Sequence, residues 1–213
     1  MFVNNLDPVA FEFLSFQIRW YSLAYIFGFL IGWFYIKNFL IKDLREKTLV
    51  DDFITYLILG VIIGGRLGYV IFYNFFYYLS HPFEIFFIWQ GGMSFHGGLL
   101  GVCLATYIFT QKYNLNFFRY TDLVSLAAPI GIFLGRVANF INSELYGRET
   151  DFIFSVNFNK VDNLFRHPSQ LYESFFEGIV LFIILNFLWK KFSEIPGVIS
   201  VSYTHLRAHE TVG

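Results

Sequence analysis

The sequence predicts an all-α fold, a polytopic bundle of membrane-spanning helices. Of its 213 residues, 56% are hydrophobic and only 15% are charged, whereas soluble domains carry roughly 25% charged residues. The apolar residues form repeated runs of about 20, which is the length that an α-helix needs to cross a membrane. The strands of a membrane barrel are shorter and alternate in polarity, so this pattern excludes a barrel.

Five spans follow in order from this pattern. We place them at residues 20–40, 53–73, 94–110, 123–141 and 171–189. Residues 1–18 are broken by Asn, Asp, Pro and Glu, and we interpret them as an interfacial arm. The segment 83–89 is apolar but too short to cross, which indicates a re-entrant or interfacial piece. Residues 142–168 form a polar insert of mixed charge between the last two spans.

The distribution of positive charge predicts the orientation. Unbalanced basic residues follow the first, third and fifth spans, at Lys42, Arg45, Lys47, Lys112, Arg119, Lys190 and Lys191. Loops rich in Lys and Arg stay on the cytoplasmic side of a membrane. We therefore expect the N-terminus to lie outside and the insert 142–168 to face outward.

The stretch 132–148 begins as an apolar helix and ends as a dense polar cluster. Arg136 and Asn139 are three residues apart, so they share one face of that helix. Placing an arginine in a span costs on the order of 3 kcal/mol, and such a residue normally faces a bundle interior or a wet cavity. The alternative is a helix end from which Arg136 reaches the lipid headgroups.

Arg66 and Arg136 occupy similar positions in two outward-running spans. Each lies 13 residues beyond the start of its span and each follows a glycine. At about 1.5 Å per residue, both lie about 20 Å along a hydrocarbon core of about 30 Å. Tyr21 and His96 fall near the outer ends of the first and third spans. We expect these four residues to mark one outward-facing layer.

Two arginines at this depth suit a phosphate ligand. A guanidinium stays charged when it is desolvated, and its fork of N–H donors matches phosphate oxygens. A phospholipid headgroup lies at the same depth. The alternative is that the arginines form structural ion pairs with Asp122 or Glu144. For His96 the alternatives are a general base and a hydrogen-bonded packing residue.

The spacing of glycines predicts close helix packing. The small-xxx-small pattern occurs at Gly28-x-x-x-Gly32, Gly60-x-x-x-Gly64 and Gly64-x-x-x-Gly68. Such a pattern lets two membrane helices approach closely. The glycine pairs at 91–92 and 97–98 are not followed by the Lys-Ser or Lys-Thr of a P-loop. We expect them to leave His96 uncrowded and mobile.

The single cysteine, Cys103, excludes an intrachain disulfide and a cysteine metal site. It lies in an apolar run, where we expect a small core residue. No constellation of metal ligands appears in the sequence, and we expect neither a metal nor a cofactor. No basic cluster with interleaved aromatic residues appears either, so we expect no nucleic-acid partner.

Four blocks of this sequence resemble the signature blocks of one family. They are GGRLGYVIFYN (64–74), WQGGMSFHGGLLG (89–101), LGRVANFINSELYGR (134–148) and RHPSQLYES (166–174). The family is prolipoprotein diacylglyceryl transferase, and the third block resembles its G-R-x-x-N-F-I-N-x-E-x-x-G pattern throughout, from Gly135 to Gly147. The resemblance covers residues 15–198, with the blocks in the family's order.

This resemblance implies a multi-pass enzyme of the bacterial plasma (inner) membrane, with about seven spans and an active site toward the outer leaflet. The implied reaction moves the diacylglyceryl group of phosphatidylglycerol to the lipobox cysteine of a preprolipoprotein signal peptide. It forms a thioether and releases glycerol phosphate. The substrate supplies the thiol, whose thiolate is the nucleophile, so neither Cys103 nor a cofactor is needed.

The resemblance also implies the site. We expect Arg136 to hold the phosphate and to stabilise the transition state, His96 to act as a general base or to position the substrate, and Tyr21 to orient its partners. The residues assigned with Arg136 to phosphatidylglycerol binding are Arg66, Asn139, Asn142, Glu144 and Gly147. The residues expected to support the site, or to contact the headgroup or peptide, are Asp122, His167, Gln170 and Glu173.

The sequence departs from the family pattern at its end. The transmembrane catalytic domain is expected over 19–198, after which the family continues into a membrane helix with a tyrosine and an arginine. Residues 199–213 are instead polar and too short to span. Tyr203 and Arg207 keep the spacing of that pair but not its surroundings, so we assign them no catalytic role. We interpret the tail as a truncation or a foreign sequence, which would remove one wall of the cavity and put the activity of this chain in doubt.

Two functions of other classes are alternatives to the transferase. An anion or lipid transporter, or a channel with an arginine-lined path, predicts internal repeats and interrupted helices. The sequence offers only the two Gly-Arg pairs as a trace of repetition. A non-catalytic lipid-binding scaffold would account for the arginines, but not for a histidine and a polar insert in the same layer.

Overall fold

The computed structural model describes residues 2–13 and 16–210. They fall into two compact units, and each unit is described by itself. One unit joins Met1–Ile36 to Asp122–Gly213, and the other is Lys37–Thr121.

Helices make up most of the described chain. In order they are α1 (Trp20–Tyr35), α2 (Leu44–Phe72), α3 (Phe75–Ser80), α4 (Phe95–Tyr113), α5 (Phe117–Asn142), α6 (Ser169–Glu173), α7 (Leu181–Phe192) and α8 (Val198–Glu210). A π-helical turn at Ile36–Leu40 extends α1, and another at Ser174–Val180 joins α6 to α7. Two short 3-10 helices, Pro82–Phe86 and Ile88–Gln90, precede α4.

Four helical stretches are long and apolar enough to cross a membrane. They are Trp20–Leu40, Leu44–Phe72, Phe117–Asn142 and Ser169–Phe192. These stretches confirm a polytopic helical membrane protein, and they coincide with the first, second, fourth and fifth predicted spans. α2 begins at residue 44 rather than 53, because a charged first turn extends the helix beyond its apolar part. There the Asp43 carboxylate caps α2 by accepting the N–H of Arg45, a common N-cap arrangement.

The predicted third span forms α4, but α4 is not one of those four stretches. It is long enough, yet His96, Lys112 and several glycines make it less apolar. A fifth crossing therefore stays a prediction. Cys103, which we expected in the core, is exposed on this helix. That expectation was wrong, because an apolar run in a membrane protein also covers lipid-facing positions.

Short strands are the main departure from the all-α prediction, and they lie in the unit that contains both chain ends. They are β1 (Phe2–Val3), β2 (Val9–Phe13), β3 (Phe16–Arg19), β4 (Val156–Asn157) and β5 (Phe165–Arg166). β2 and β3 form an antiparallel hairpin within the predicted arm 1–18. β4 pairs with β1 in parallel and with β5 antiparallel. The arm and the insert lie outside the helices, so their backbone N–H and C=O groups lack helical hydrogen bonds. Pairing of the strands supplies hydrogen-bond partners for these groups.

In the unit Lys37–Thr121, α2 and α4 pack through glycines. A Cβ built on Gly68 would lie 2.7 Å from the Cα of Gly97, and one on Gly60 would lie 2.6 Å from the carbonyl oxygen of Gly101. Gly64 lies between them and also meets Gly97. The two helices are therefore antiparallel and in backbone contact, which confirms the packing predicted from this spacing.

In the other unit, α1 and α5 also meet at small residues. A Cβ on Gly28 would lie 3.4 Å from the Cα of Gly131, and one on Gly32 would lie 3.4 Å from the Cβ of Ala127. This approach is close but leaves ordinary van der Waals space. The predicted pair Gly28 and Gly32 is thus confirmed as a packing feature, with a looser contact than that between α2 and α4.

Candidate active site

The polar cluster predicted around Arg136 is built on the turn that ends α5. Ser143 and Leu145 adopt positive φ angles of 59° and 54°, so the chain reverses directly after the helix. The reversal brings Glu144 back to Asn139, whose carbonyl accepts the Glu144 N–H at 2.9 Å. The Asn139 amide in turn donates to the Glu144 carboxylate at 3.1 Å. Asn139 is buried, so this reciprocal pair fixes the turn to the end of the helix.

The same turn is attached to the start of α6. Gln170 is fully buried, and its side chain donates to the carbonyl oxygen of Glu144. The Gly147 N–H donates to the His167 carbonyl at 2.9 Å, and the Ser169 hydroxyl donates to the Leu145 carbonyl at 2.8 Å. The blocks 134–148 and 166–174, which are separated in sequence, therefore form one structural element.

Arg136 faces two carboxylates of the helical stretch Ser169–Phe192. Its Nη2 lies 2.7 Å from Oε2 of Glu173 and 3.9 Å from Oε2 of Glu177. The Glu177 side chain is only 8% exposed, against 23% for Arg136. Both of these closest approaches involve Nη2. Within the described residues no backbone carbonyl accepts a hydrogen bond from Arg136, so its guanidinium is available to a bound anion.

The helical stretch that carries these carboxylates packs closely against α5 at Phe133, which lies one turn before Arg136. A Cβ built on Gly178 would lie 2.7 Å from the Cβ of Phe133, and the Ser174 hydroxyl donates to the Phe133 carbonyl at 3.3 Å. Both contacts are made within or at the start of the π-helical turn. Glycine and serine at this crossing let the two helices approach, and this approach brings Glu173 and Glu177 within reach of Arg136.

Asp122 has a structural partner that sequence reasoning did not identify. Its carboxylate is 1% exposed and accepts the backbone N–H groups of Gly197 at 2.7 Å and Ser200 at 2.8 Å. It therefore caps the N-terminus of α8, where a negative charge is favoured. The suggested ion pair of an arginine with Asp122 does not form in this arrangement, because both carboxylate oxygens serve α8 and the partner of Arg136 is Glu173.

Four more residues of this unit have contacts of their own, two from the predicted site and two from the tail. Asn142 ends α5, and its Oδ1 is buried without a hydrogen-bond partner among the described residues. Tyr21 is 38% exposed, and its hydroxyl lies 3.4 Å from that of Tyr25. In the tail, the Arg207 guanidinium lies 3.8 Å from Oε2 of Glu177 and donates to the Tyr203 hydroxyl at 2.9 Å.

Arg66 belongs to the other unit, and its environment is different. It is 4% exposed, and its guanidinium donates to five backbone carbonyls. The acceptors are those of Ile85 (2.9 Å from Nε), Gly91 and Gly92 (2.6 and 3.2 Å from Nη1), and Glu84 and Phe87 (2.7 and 3.4 Å from Nη2). A guanidinium has five N–H donors in all. The arrangement engages them with five backbone carbonyls, and the assignment of Arg66 to phosphatidylglycerol binding stays a prediction.

His96 lies in the first turn of α4, in the same unit as Arg66. Ser94 caps this helix by accepting the Gly97 N–H at 3.2 Å. The imidazole is exposed, and its ring lies 5.7 Å from that of Phe95. Of the neighbouring glycines, Gly97 packs against α2 and a Cβ on Gly92 would lie within 3 Å of the Tyr69 ring, whereas a Cβ on Gly91 would meet nothing within 4 Å. The mobility expected for His96 stays a prediction.

Comparison with known proteins decides which family these blocks belong to. The sequence profile of prolipoprotein diacylglyceryl transferase matches residues 8–209. Phosphatidylglycerol–prolipoprotein diacylglyceryl transferase of Rickettsia canadensis is 52% identical over 190 residues, which cover 88% of this chain and 73% of the relative. The protein of the same name from Rickettsia felis is 47% identical over 212 residues, which cover 95% of this chain and 82% of the relative. The chain belongs to the prolipoprotein diacylglyceryl transferase family.

Membership of this family makes the chain a membrane transferase. Each of the four sequence blocks that resemble the family corresponds to a feature of the structure. The third and fourth blocks build the turn around Asn139, Glu144 and Gln170. The first and second blocks form the glycine contact between α2 and α4 and one side of the Arg66 site. The profile match also extends into the tail, to residue 209. The truncated or foreign origin of the tail stays a prediction.

One carboxylate of the Arg136 pair, Glu177, was missed by sequence reasoning. A signal was present, since Glu177 follows Glu173 by four residues inside an apolar stretch and an uncompensated charge there is costly. Its partner could not be read from the sequence, because it lies on a different helix. A metal site was not expected, and the described residues hold no group of three or more His, Cys, Asp or Glu that could bind one.

Proposed function

We propose that this chain transfers the diacylglyceryl group of phosphatidylglycerol to the lipobox cysteine of a preprolipoprotein. The site would face the outer leaflet of a bacterial plasma membrane, with the N-terminus outside and α4 as a fifth crossing. Support comes from the family, from the two relatives' names and from the basic loops that follow the first, third and fifth predicted spans.

The reaction is a displacement at carbon. The cysteine thiolate attacks the glyceryl carbon that carries the phosphate, so a C–S bond forms and the C–O bond to the phosphate group breaks. The electron pair of that bond leaves with the oxygen of glycerol phosphate. Negative charge therefore moves from sulfur to the phosphate group in the transition state, and a cation beside the phosphate lowers the barrier.

The guanidinium of Arg136 is the observation that carries this proposal. Its Nη2 lies 2.7 Å from Glu173 and 3.9 Å from Glu177, and within the described residues it donates to no backbone carbonyl. The two carboxylates keep the guanidinium beside the polar turn, and a charge already in place needs little reorganisation when charge develops. Asn139 lies one turn further along the same helix face, with its amide held by Glu144.

His96 and Tyr21 have supporting roles in this proposal. The lipobox thiol must lose its proton to react, and an exposed imidazole is a chemically suitable acceptor. A positioning role for His96 remains the alternative, in which the phosphate of the lipid accepts the proton. Tyr21 would orient its partners through its hydroxyl. Because His96 and Tyr21 belong to different units, their presence in one layer with Arg136 stays a prediction.

A mass assay with a matched arginine pair tests this proposal. Phosphatidylglycerol and a lipobox peptide are given to the unaltered chain, to Arg136→Ala and to Arg119→Ala. Arg119 is the control because it pairs with Glu46, near the start of α5 and far along that helix from Arg136. We expect a diacylglyceryl mass gain on the peptide for the unaltered chain and for Arg119→Ala. Arg136→Ala should lose about a hundred- to a thousand-fold of the rate, as oxyanion donors do. A rate for Arg136→Ala close to that of Arg119→Ala would contradict the assignment.

A further inference from the structure

We infer that Arg66 is a positioning residue, whose guanidinium folds the segment 82–94 and thereby sets the place of His96 at the start of α4. This inference rests on the proposed function only for the role of His96. The structural part, that a buried guanidinium organises this segment, stands on the contacts of Arg66 alone.

The N–H donors of Arg66 are matched in number by backbone carbonyl acceptors. Nε, Nη1 and Nη2 of Arg66 carry five N–H donors, and the structure provides five carbonyl oxygens within 3.4 Å of them. All five carbonyls come from residues 84–92, a segment of the same unit. One side chain of α2 therefore binds most of the connection between α3 and α4.

The connection between α3 and α4 needs hydrogen-bond partners for its backbone carbonyls. Pro82–Phe86 and Ile88–Gln90 are short 3-10 helices, too short to satisfy more than a few of their own carbonyls. Buried carbonyls without a partner are costly. Gly91 and Gly92 have positive φ angles of 85° and 80°, a conformation that turns their carbonyls toward Arg66 and that favours glycine. The sequence of the segment and the arginine are therefore matched to each other.

The positive charge of Arg66 is buried. Arg66 is 4% exposed, and its guanidinium carbon lies 5.2 Å from the centre of the Tyr78 ring. The ring face and the five carbonyl dipoles replace the water that the guanidinium loses on burial. A lysine cannot take over this role, because it carries three donors on one compact nitrogen rather than five in a planar fork.

Ser94 connects the segment 82–94 to His96. The carbonyl of Gly65, the residue before Arg66, accepts the Ser94 N–H at 2.9 Å. Ser94 then caps α4 through Gly97, and His96 lies between the two residues of that cap. Residues 65 and 66 of α2 thus hold the chain on both sides of the Gly91–Gly92 turn. A change in the segment moves the first turn of α4, and with it the imidazole.

Removal of the side chain and rescue by free guanidinium test this inference. Arg66→Ala leaves a space lined by five carbonyl oxygens, which millimolar guanidinium, far below denaturing concentrations, is able to fill. The probe is hydrogen exchange of the amides of Glu84, Phe87, Gly91 and Ser94, whose bonds depend on this fold. Arg66→Lys and Arg119→Ala are the matched controls for charge and for the loss of an arginine in the same unit.

We expect faster exchange at these amides in Arg66→Ala and Arg66→Lys, protection restored by guanidinium in Arg66→Ala, and no change in Arg119→Ala. Transferase activity should fall by about a hundred-fold in Arg66→Ala, as for a misplaced catalytic group, and should recover at least in part with guanidinium. Unchanged exchange, or no recovery of protection, would overturn the structural part. Faster exchange with full activity would overturn the positioning role. An inactive unaltered chain would count against the proposed function, while the exchange result would still decide the structural part.

Discussion

Gly147 lies in the turn after α5, directly against the backbone of His167. A Cβ at this position would lie 2.9 Å from both the Cβ and the carbonyl oxygen of His167, which is shorter than ordinary carbon and oxygen contacts. The Gly147 N–H donates to that same carbonyl. At this residue the absence of a side chain is therefore what allows the insert to meet the start of α6.

Replacing Gly147 with alanine should separate the turn from α6 and misplace the residues around Arg136. We expect Gly147→Ala to lower the transfer rate at least about ten-fold, because small displacements near a reacting centre are costly. Gly131→Ala is the control, since a Cβ on Gly131 meets nothing within 4 Å. Equal rates for the two variants, measured at the same protein concentration, would show that the contact with His167 is unimportant.

A second residue-scale prediction concerns pH. The Arg166 guanidinium, 2.6 Å from the Asp162 carboxylate, lowers the pKa of that carboxyl below its ordinary value. A carboxyl whose pKa is lowered by folding adds stability above its unfolded pKa, and the stability is lost as the pH falls through the folded pKa. We expect the insert to become more open to proteolysis in that acid range, and Asp162→Asn to remove this part of the pH dependence. A variant with an unchanged pH profile would contradict the role of the pair.

At the scale of elements, α2 and α4 depend on adjacent glycines that have different surroundings. Gly97 is buried against the carbonyl of Gly64 and the Cα of Gly68, whereas a Cβ on Gly98 would come no closer than 3.9 Å, to the Val61 carbonyl. One face of α4 therefore has no room for a methyl group, and the neighbouring position has room for it. Helix propensity alone would favour alanine at both positions.

This difference predicts opposite results for two neighbouring substitutions. Gly97→Ala should lower the free energy of unfolding by about 1–3 kcal/mol, which is typical of overpacking. Gly98→Ala should be neutral or slightly stabilising, because it gains helix propensity without a clash. Thermal unfolding in detergent measures both. A Gly97→Ala protein as stable as Gly98→Ala would mean that the two helices are further apart than the structure has them.

Elements were predictable from the sequence where one local pattern decides them. Apolar runs of sufficient length gave four spans that the structure confirms, and the glycine spacing gave the helix contacts. The short strands and the early start of α2 were not predictable in this way. β1 pairs with β4 across more than 150 residues, and no local pattern in a two-residue strand reports such a partner.

The site shows the same limit at the scale of residues. Arg66 and Arg136 have equivalent sequence settings, each after a glycine and each 13 residues into a predicted span. Their surroundings differ because residues 84–92 fold over Arg66, whereas Glu173 faces Arg136. Which groups each arginine meets is a tertiary property. The sequence therefore indicated two candidate arginines, and only the structure separated the one bound to backbone carbonyls from the one beside carboxylates.

At the scale of the whole molecule, the chain falls into two compact units that contain different candidate site residues. The unit that joins Met1–Ile36 to Asp122–Gly213 contains Arg136 and its carboxylates, and Lys37–Thr121 contains the Arg66 site and His96. The transferase proposal needs both. Four spans and the family blocks were predicted from composition and motifs, because both are properties of the chain itself. The joint layer of the site remains a prediction, since it depends on how the units combine.

In the proposed reaction, thioether formation is coupled to the release of glycerol phosphate. The most direct measurement supplies the purified chain with phosphatidylglycerol and a lipobox peptide, and counts both products in the same sample. We expect one glycerol phosphate for each diacylglyceryl group gained by the peptide, and neither product with a Cys→Ser peptide. Glycerol phosphate released without peptide modification, or lipid moved with neither product formed, would contradict the account.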